Sequence, residues 1–263
     1  MTNQQIYNKL TPVEKRIIIN KETEKPFSGK YNDFAEKGRY ICKRCDALLF
    51  HSDDKFQSTC GWPSFDDALP DAVKRQMDAD QRRTEILCNR CGAHLGHVFE
   101  GEDLTEKNTR HCVNSAAILF IPSKKFSKRK IAYFAGGCFW GVEYLFEQKL
   151  GVYYAESGYM GGSLQNPVYE DICTQKSGHY ETVQVSYNPE KVTYEELVKY
   201  FFEIHDPTQK NGQGPHKGPQ YLSVIFYSTE KEKSVCQSLI KILKNKKIDA
   251  ITTLLPAETF WKA

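Results

Sequence analysis

Two cysteine pairs decide the fold of the first half of the chain, Cys42-Lys-Arg-Cys45 and Cys88-Asn-Arg-Cys91. Four thiolates in such pairs form the tetrahedral sulfur shell in which proteins bind structural Zn²⁺. Because the pairs are far apart in the sequence, a shared metal would tie two distant hairpins together. We therefore predict a structural zinc site; paired redox dithiols are the alternative, since one Cys-x-x-Cys motif alone is also typical of redox proteins. A metal with four protein ligands has no open position, so catalysis must lie elsewhere.

The composition narrows the class of protein. The chain has 263 residues, of which 40% are hydrophobic and 26% are charged, and its formal net charge is +3. One large domain or two modest domains fit this length. No apolar run approaches the ~18–20 residues that span a bilayer, and the nearly balanced charges are weak evidence for nucleic-acid binding. We therefore expect neither a membrane nor a nucleic acid as a partner.

The cysteine count and the N-terminal residues indicate a reducing compartment. The chain has nine cysteines, an odd number that cannot pair completely, so some of the thiols bind metal or react. Residues 1–20 are mostly polar and lack the apolar core and cleavage site of a signal peptide. Because persistent disulfides are rare in the cytosol, we predict a cytoplasmic protein.

A short basic stretch divides the chain. It runs from Pro122 to Lys130, and six cysteines precede it whereas three follow it. We predict a first domain at residues 1–122, a basic linker at residues 123–130 and a second domain at residues 131–263. A solvated loop inside a single domain is the alternative interpretation of the basic stretch.

The two halves also differ in the periodicity of their apolar residues. In the first half, the pattern predicts strands at residues 39–42, 47–50 and 115–121 and a short irregular helix within residues 66–77. In the second half, predicted strands at residues 131–135, 182–187 and 221–227 alternate with predicted helices. The sequence therefore predicts an all-β half joined to a mixed α/β or α+β half.

Two further cysteines of the first half have reactive surroundings. Cys60 precedes a Gly-Trp-Pro-Ser-Phe motif, and Cys112 follows Arg110 and His111, whose charge and imidazole favour a thiolate. Between them lie His94 and His97, which we interpret as acid–base groups. Each histidine alone would more often be structural.

These motifs closely resemble type B methionine sulfoxide reductase over residues 6–122. The resemblance rests on the zinc pairs and on Gly61-Trp-Pro-Ser-Phe65, Gly92-Ala-His-Leu-Gly-His-Val-Phe99 and Arg110-His-Cys-Val-Asn-Ser-Ala116. It implies a small β-structure with two antiparallel sheets. It also implies that Cys112 is the nucleophile, that Cys60 is the resolving thiol and that Trp62 packs on the substrate methyl group. The sulfoxide oxygen would be handled by His94, His97, Arg110 and Asn114.

The second half opens with a cysteine at a predicted strand-to-helix turn, Gly136-Gly-Cys-Phe-Trp-Gly141. The amides and dipole of a first helical turn stabilise an anion and so lower the pKa of a thiol. Phe139 and Trp140 could form an apolar slot for a thioether. A buried cysteine in a glycine-rich turn is the alternative interpretation of Cys138.

Other motifs of this half resemble type A methionine sulfoxide reductase over residues 130–263. They are Asn166-Pro-Val-Tyr-Glu170, Gly178-His-Tyr-Glu181, His205-Asp-Pro-Thr208 and the pair Gln220-Tyr221. The resemblance implies a mixed α/β sandwich, with Cys138 as nucleophile and Phe139 and Trp140 as the methyl pocket. It makes Glu181 the acid that protonates the sulfoxide oxygen, with Tyr169 and Tyr221 as hydrogen-bond donors.

Three features depart from the type A pattern. His216 occupies the place of an active-site carboxylate, and Leu222 replaces the usual arginine. No cysteine follows Cys236, where the family has a C-terminal resolving cysteine, so we expect either a shortened C-terminal tail or another route of reduction for Cys138. The spacing of Cys236 indicates core packing, which leaves Cys173 as the better recycling candidate.

The two resemblances together imply a bifunctional enzyme that reduces methionine sulfoxide, free or protein-bound, to methionine. The R epimer is assigned to the N-terminal domain and the S epimer to the C-terminal domain. A cysteine sulfenic acid would form and condense to a disulfide, and thioredoxin would reduce that disulfide. The alternatives are a zinc-ribbon module that binds nucleic acid or protein, and a peroxide-reactive thiol protein.

Overall fold

The computed structural model describes residues 7–78 and 81–263. The chain splits into two compact units, with the boundary between Arg129 and Lys130. In the described residues, no helix combines the length and the apolarity needed to cross a bilayer. We call residues up to Arg129 unit 1 and residues from Lys130 onward unit 2, and we describe each unit by itself.

Unit 1 is rich in short antiparallel strands. Its elements are α1 (Pro12–Ile18), β1 (Gly38–Cys42), β2 (Leu48–His51), β3 (Lys55–Phe56), β4 (Ser64–Phe65), β5 (Val73–Met77), β6 (Thr84–Cys88), β7 (His94–Glu100), β8 (Thr109–Val113), β9 (Ile118–Pro122) and α2 (Ser123–Phe126). The strands form one sheet of order β2-β1-β9 and a second of order β3-β4-β8-β7-β6-β5. Every pairing in both sheets is antiparallel.

Aromatic side chains form the core of unit 1. Phe50 and Phe65 stack with ring centroids 4.4 Å apart, and Tyr40 meets Phe65 edge-on at 4.9 Å. All three side chains are completely buried. Large aromatic rings bury much apolar surface per residue, which lets these short strands form a stable core.

Two local predictions for unit 1 were wrong. Residues 66–77 contain no helix, and their last five residues form β5, which pairs with β6. Cross-strand pairing with β6 outweighed the weak helical pattern, because strand preference depends on neighbours as much as on the residues themselves. The strand predicted at residues 115–121 begins later than expected, since Ser115–Ala117 is a 3-10 helix and β9 follows it.

The basic segment before unit 2 is partly folded. Its first residues form α2, and the guanidinium groups of Arg39 and Arg129 lie 5.4 and 4.7 Å from the centroid of the Phe126 ring. Lys130 already begins the first strand of unit 2. The role of residues 123–130 as a linker, and the exact domain limits, stay predictions.

Unit 2 combines one mixed sheet with helices. Its elements are β10 (Lys130–Gly136), α3 (Phe139–Glu147), β11 (Val152–Met160), α4 (Tyr169–Cys173), β12 (Tyr180–Tyr187), α5 (Tyr194–Ile204), β13 (Gly212–Gln213), β14 (His216–Lys217), β15 (Ser223–Tyr227), α6 (Glu230–Asn245), β16 (Thr253–Pro256) and β17 (Trp261–Lys262). The main sheet has the order β16-β15-β10-β12-β11-β17, and only the β15–β16 pair is parallel. The predicted all-β first domain and α+β second domain are thus confirmed, with α1 and α2 as short helical additions to the first.

The turn between β10 and α3 depends on glycine. Gly137 has φ +98°, and a Cβ there would lie 2.7 Å from Cβ of Gln213. A Cβ on Gly136 would come within 2.7 Å of the Phe201 ring. Glycine tolerates both the positive φ and the close packing, so the chain can reverse sharply and place Cys138 at the start of α3.

His205 is the C-cap residue of α5 and packs against Gly136 of this turn. Its Nδ1 lies 2.6 Å from the carbonyl oxygen of Phe201, and its Nε2 lies 2.7 Å from the Ser223 hydroxyl. Burial lowers the pKa of His205 to about 4. The folded unit therefore holds this imidazole neutral, whereas the unfolded chain takes up a proton at the ordinary histidine pKa.

This difference predicts acid lability of unit 2. Because the folded pKa is depressed, the contribution of His205 is complete above about pH 6.5 and is lost as the pH falls toward 4, up to roughly 3 kcal/mol over that range. We expect His205→Asn to flatten the fall in unfolding free energy between pH 7 and pH 5. Urea unfolding followed by tryptophan fluorescence in a Trp62→Phe background reports on unit 2, since Trp140 and Trp261 then remain.

The matched control is His216→Gln, which changes an exposed histidine of unit 2. It should keep the pH dependence of the unsubstituted chain. If the unfolding free energy of His205→Asn fell as steeply with pH as that of the unsubstituted chain, the attribution of the acid lability to His205 would be wrong.

Candidate active sites and metal centre

The four paired cysteines of unit 1 converge on one point. Their sulfur atoms all lie within 4.8 Å of one another, and the distances Cys42 Sγ to Cys91 Sγ and Cys45 Sγ to Cys88 Sγ are both 3.6 Å. Thiolates around a tetrahedral Zn²⁺ at ~2.3 Å stand about 3.8 Å apart. The donor set and the spacing therefore fit a structural zinc site with no open position.

Both cysteine pairs have the same local structure. The amide of Asp46 donates to the carbonyl of Cys42 at 2.9 Å, and the amide of Gly92 donates to that of Cys88 at 2.8 Å. Asp46 and Gly92 both have positive φ, +65° and +68°. Each turn therefore folds back on itself directly after its second cysteine, which directs both thiols of a pair to the same side.

The two pairs also support each other. Nη1 of Arg44 donates to the carbonyl oxygen of Cys91 at 3.0 Å, and Nη1 of Arg90 donates to that of Cys45 at 3.3 Å. Each arginine thus bridges from its own turn to the last cysteine of the other turn. These reciprocal bonds join the β1–β2 and β6–β7 connections independently of the metal.

A second thiol pair lies away from the metal site. Sγ of Cys60 is 3.8 Å from Sγ of Cys112, and both residues are partly exposed. The hydroxyl of Ser58 lies 3.0 Å from the Cys60 sulfur, and that of Ser64 lies 3.5 Å from it. Sequence-distant cysteines are thus brought to a separation from which small movements form a disulfide.

The two thiols shift the pKa values of each other. Hydrogen bonds from the Cys112 thiol and from the Ser58 and Ser64 hydroxyls lower the pKa of Cys60 to about 4. The same contact with Cys60, together with burial, raises the pKa of Cys112, while Arg110 acts to lower it. The two thiols therefore titrate together, and the thiolate expected at Cys112 stays a prediction.

His111 lies on the face of β8 opposite to Cys112. Its Nδ1 is 3.2 Å from the carbonyl oxygen of Phe65, and its Nε2 is 3.2 Å from Arg75. Burial lowers the pKa of His111, so the ring is neutral. Neighbouring residues of a strand point to opposite faces, and sequence adjacency to Cys112 was therefore misleading.

In a strand, residues two positions apart point to the same face, so Arg110 shares the face of Cys112 on β8. The strand register pairs Cys112 with Ser64 on β4 and with His97 on β7, and pairs His97 in turn with Glu85 on β6. These side chains form a row across four strands. Arg110 lies on the same face, with its guanidinium 4.4 Å from the Phe99 ring centroid and two bonds of 2.7 and 2.9 Å to the Glu102 carboxylate.

The two predicted histidines are held by carboxylates. Nδ1 of His94 lies 2.7 Å from Glu85, and Nε2 of His97 lies 2.8 Å from Asp78. The ring centroids are 5.5 Å apart. Burial lowers the pKa of His94, and the Glu85 carboxylate opposes that shift. Nε2 of His94 is buried and, among the described residues, has no hydrogen-bond partner, so it is available to a bound oxygen.

Trp62 and Asn114 have different surroundings. The indole of Trp62 is partly exposed and donates through Nε1 to the carbonyl oxygen of Glu24 at 3.1 Å. Asn114 is buried, and its amide donates to Leu95 at 3.1 Å and accepts from the Glu24 amide at 3.0 Å. Both ends of the Asn114 side chain are therefore engaged by the protein itself.

In unit 2, Cys138 is the N-cap residue of α3 and is partly exposed. Directly beside it, the Phe139 amide donates to the Glu181 carboxylate at 3.0 Å. Glu181 is only 2% exposed, and burial raises its pKa, although the bonds from Phe139 and Tyr221 counteract this. A carboxyl group with a raised pKa thus bonds the backbone amide of the residue that follows an accessible thiol.

Aromatic side chains surround this pair. Trp140 and Tyr169 lie parallel with centroids 6.3 Å apart, and they are 65% and 43% exposed. Phe139 is buried against Tyr159, whose register position on β11 faces Glu181 on β12. Of the residues around the apolar slot predicted for a thioether, Trp140 and Tyr169 are therefore exposed to solvent, whereas Phe139 is buried.

The departures from the type A pattern occupy definite places. His216 is exposed on β14, and its ring centroid lies 5.3 Å from that of Tyr221. Tyr221 in turn bonds Glu181. Cys236 is buried beside the Tyr194 hydroxyl at 3.5 Å, as core packing requires, whereas Cys173 is exposed at the end of α4.

Several site residues escaped the sequence analysis. Glu85 and Asp78 hold the histidines, Glu24 contacts Trp62 and Asn114, and Tyr159 faces Glu181. A usable signal existed for Glu85, since a carboxylate within the otherwise apolar strand Thr84–Cys88 needs a buried partner. Glu24 gave no such signal, because it lies in an irregular polar segment.

Comparison with known families agrees with both sites. Residues 10–122 match the SelR domain family, and residues 130–263 match the family described as peptide methionine sulfoxide reductase. The second match spans half of the chain.

Individual relatives match each unit separately. A peptide methionine sulfoxide reductase MsrA of Acidobacterium capsulatum is 47% identical over 135 residues, covering 50% of this chain and 86% of that protein. Peptide methionine sulfoxide reductase B5 of Arabidopsis thaliana is 49% identical over 119 residues, covering 45% and 86%. Among solved structures, methionine sulfoxide reductase A of Corynebacterium diphtheriae shares 34% identity over 51% of this chain and 70% of that chain, with a TM-score of 0.46.

The sites and matches define a two-domain reductase that works with cysteine thiols. The chain belongs to the methionine sulfoxide reductases, with a SelR domain in unit 1 followed by a peptide methionine sulfoxide reductase domain in unit 2. The family resemblance inferred from the sequence motifs is thereby confirmed for both halves.

The metal centre predicts that unit 1 depends on zinc for stability. Because metal binding adds folding free energy to the unit that carries the ligands, Cys91→Ser should lower the zinc content and the unfolding temperature of unit 1. Unit 2 should unfold as before. Elemental analysis and thermal unfolding measure these changes.

Cys173→Ser is the control, since it removes an exposed thiol outside the cluster. It should retain zinc. Unchanged zinc content and unchanged unfolding in Cys91→Ser would show that these cysteines hold no structural metal.

Proposed function

We propose that unit 1 reduces the R epimer and unit 2 the S epimer of methionine sulfoxide, each through a single nucleophilic cysteine. The observation that carries this proposal is common to both units. A partly exposed cysteine lies beside buried groups that can hold or donate a proton, namely the row of Cys112 and His97 in unit 1 and the pair of Cys138 and Glu181 in unit 2.

The reaction transfers oxygen from substrate sulfur to cysteine sulfur. A thiolate supplies two electrons, the sulfoxide S–O bond breaks, a proton reaches the oxygen, and methionine leaves behind a cysteine sulfenic acid. A second thiol then displaces water from the sulfenic acid and forms a disulfide. An external dithiol, which we propose to be thioredoxin, reduces that disulfide by exchange.

In unit 1, Cys112 is the proposed nucleophile and Cys60 the proposed resolving thiol. The 3.8 Å separation of their sulfur atoms supports this pairing, because Cys60 can reach a sulfenic acid formed on Cys112. The unpartnered Nε2 of His94 and the adjacent ring of His97 suit the sulfoxide oxygen. Trp62 offers an apolar face for the methyl group, and Arg110 offers positive charge to the Cys112 thiolate.

In unit 2, Cys138 is the proposed nucleophile and Glu181 the proposed acid. Burial raises the pKa of Glu181, which favours a carboxyl group that donates its proton to the departing oxygen. Tyr221 and Tyr169 are the proposed hydrogen-bond donors, and Trp140 with Phe139 the proposed methyl pocket. A chiral pocket serves one epimer of a stereogenic sulfur, which explains why two unlike domains are joined.

We propose a reducing cytoplasmic setting for this chemistry, because turnover requires a supply of external dithiol. Methionine sulfoxide in proteins and the free amino acid are both proposed substrates.

Separate inactivation tests the division of labour. Cys112→Ser should lower R-sulfoxide turnover by at least about a hundredfold and leave S-sulfoxide turnover unchanged, because removal of a nucleophile removes the covalent route. Cys138→Ser should do the reverse. Chiral chromatography of each epimer with dithiothreitol as reductant measures both. Loss of both activities in either variant, or consumption of peroxide without sulfoxide turnover, would contradict the proposal.

The reductant should distinguish the two sites. Cys60 lies next to Cys112, whereas in the described unit 2 no thiol is in hydrogen-bonding contact with Cys138. We therefore expect the ratio of thioredoxin-supported to dithiothreitol-supported turnover to be lower for the S epimer than for the R epimer. Steady-state rates with each reductant measure this ratio.

Two variants serve as matched comparisons. Cys60→Ser should lose thioredoxin-supported R turnover but keep the reaction with dithiothreitol. Cys173→Ser should remove the remaining thioredoxin-supported S turnover. Equal S turnover with both reductants in Cys173→Ser would exclude Cys173 as the recycling thiol.

A further inference from the structure

An irregular segment of unit 1, residues 21–27, lies along the proposed R-sulfoxide site. It contains no helix or strand and is exposed throughout except at Glu24. Backbone groups outside regular structure still require partners, and those of this segment find them in the site. The amide of Phe27 donates to Gly61 at 2.7 Å, directly between Cys60 and Trp62.

Glu24 is the centre of these contacts. Its carbonyl oxygen accepts from the indole of Trp62 at 3.1 Å, and its amide donates to the side chain of Asn114 at 3.0 Å. One residue of the segment therefore fixes the orientation of Trp62 and one end of the Asn114 amide at the same time.

The Glu24 carboxylate anchors its own backbone. Its oxygens accept from the amides of Ser115 at 2.5 Å and Ala116 at 3.1 Å, which open the 3-10 helix that follows β8. These amides have no partner within the helix, so a side-chain acceptor stabilises them as a cap does. The carboxylate thus ties residues 21–27 to the end of the strand that carries Cys112.

A second contact joins the segment to the histidines. Nζ of Lys21 lies 2.8 Å from Glu85, whose other oxygen contacts Nδ1 of His94 at 2.7 Å. Both ends of the segment therefore touch groups that hold site residues. Close packing of Pro26 against Gly61 adds to this, since a Cβ on Gly61 would lie 2.7 Å from that of Pro26.

We propose that Glu24 is a positioning residue for R-sulfoxide reduction, which sets the indole of Trp62 over the substrate methyl group by anchoring residues 21–27 to the start of the 3-10 helix. This inference rests on the proposed function of unit 1. Glu24 touches neither the substrate nor the reacting sulfur, and it acts through Trp62. Its removal therefore affects substrate binding more than the chemical step.

The test compares Glu24→Ala with Glu24→Gln and with Glu22→Ala in the full chain. Loss of a capping carboxylate costs about 1 kcal/mol, which corresponds to roughly a fivefold change; we expect KM for the R epimer to rise about fivefold or more in Glu24→Ala, with a smaller change in kcat. Glu24→Gln keeps one oxygen acceptor and should lie in between. Glu22→Ala removes a neighbouring exposed carboxylate that pairs with Arg16, and it should leave both constants unchanged.

A double-mutant cycle with Trp62→Phe separates positioning from a general structural effect. Phe keeps an aromatic ring but lacks the indole N–H, so it breaks the contact with the Glu24 carbonyl. If Glu24 acts through Trp62, the effects of Glu24→Ala and Trp62→Phe on KM should be less than multiplicative. Turnover of the S epimer by unit 2 of the same chain, together with zinc content, verifies folding and concentration in every variant.

The possible results distinguish the positioning role of Glu24 from the proposed function of unit 1. Unchanged KM in both Glu24 variants, or effects that multiply fully in the double mutant, would overturn the positioning role. If Glu24→Ala loses its zinc, Glu24→Gln and its cycle with Trp62→Phe decide the question by the same criteria. Failure of the proposed function is a different result, in which Cys112→Ser retains R-sulfoxide turnover.

Discussion

Both units bury a carboxyl group that bonds another residue of the candidate site, and a buried carboxyl group needs partners. Glu85 and Glu181 are 1% and 2% exposed. An ionised carboxylate without hydrogen bonds is too costly to bury. Burial acts to raise the pKa of Glu85, but its bonds from Lys21, His94 and Gln76 outweigh that and lower it. Within the described residues, Glu181 is bonded by the Phe139 amide and by Tyr221, and its pKa is raised. The number of partners therefore decides in which direction the pKa of each buried carboxyl group shifts.

The two folds satisfy this requirement by different means. In unit 1, strand register aligns Glu85, His97, Cys112 and Ser64 on one face, so antiparallel pairing brings distant residues together. In unit 2, a glycine turn ends β10 and starts α3, and the free amide of the first helical turn bonds Glu181. Sheet pairing creates the first site and a helix N-terminus creates the second, although each ends with a thiol next to an ionisable group.

The parts of the structure that were predictable from sequence were those set by local geometry. The paired spacing of Cys42 and Cys45 is enough for a metal turn, and Gly136-Gly137 before Cys138 is enough for a strand-to-helix turn. Residues 66–77 were mispredicted because their strand depends on pairing with β6. His111 was misread for the same kind of reason, since its position next to Cys112 in sequence places it on the opposite face of β8.

The sequence by itself predicted the four-cysteine cluster and the family of each half, because these are carried by residue types at short, characteristic spacings. Only the tertiary structure decided that the sulfur atoms of Cys60 and Cys112 lie 3.8 Å apart, which carboxylates hold His94 and His97, and what Glu24 contacts. Those properties depend on distances between groups far apart in the chain. Such distances follow from strand register and burial, and electrostatic energies within a protein change steeply with both.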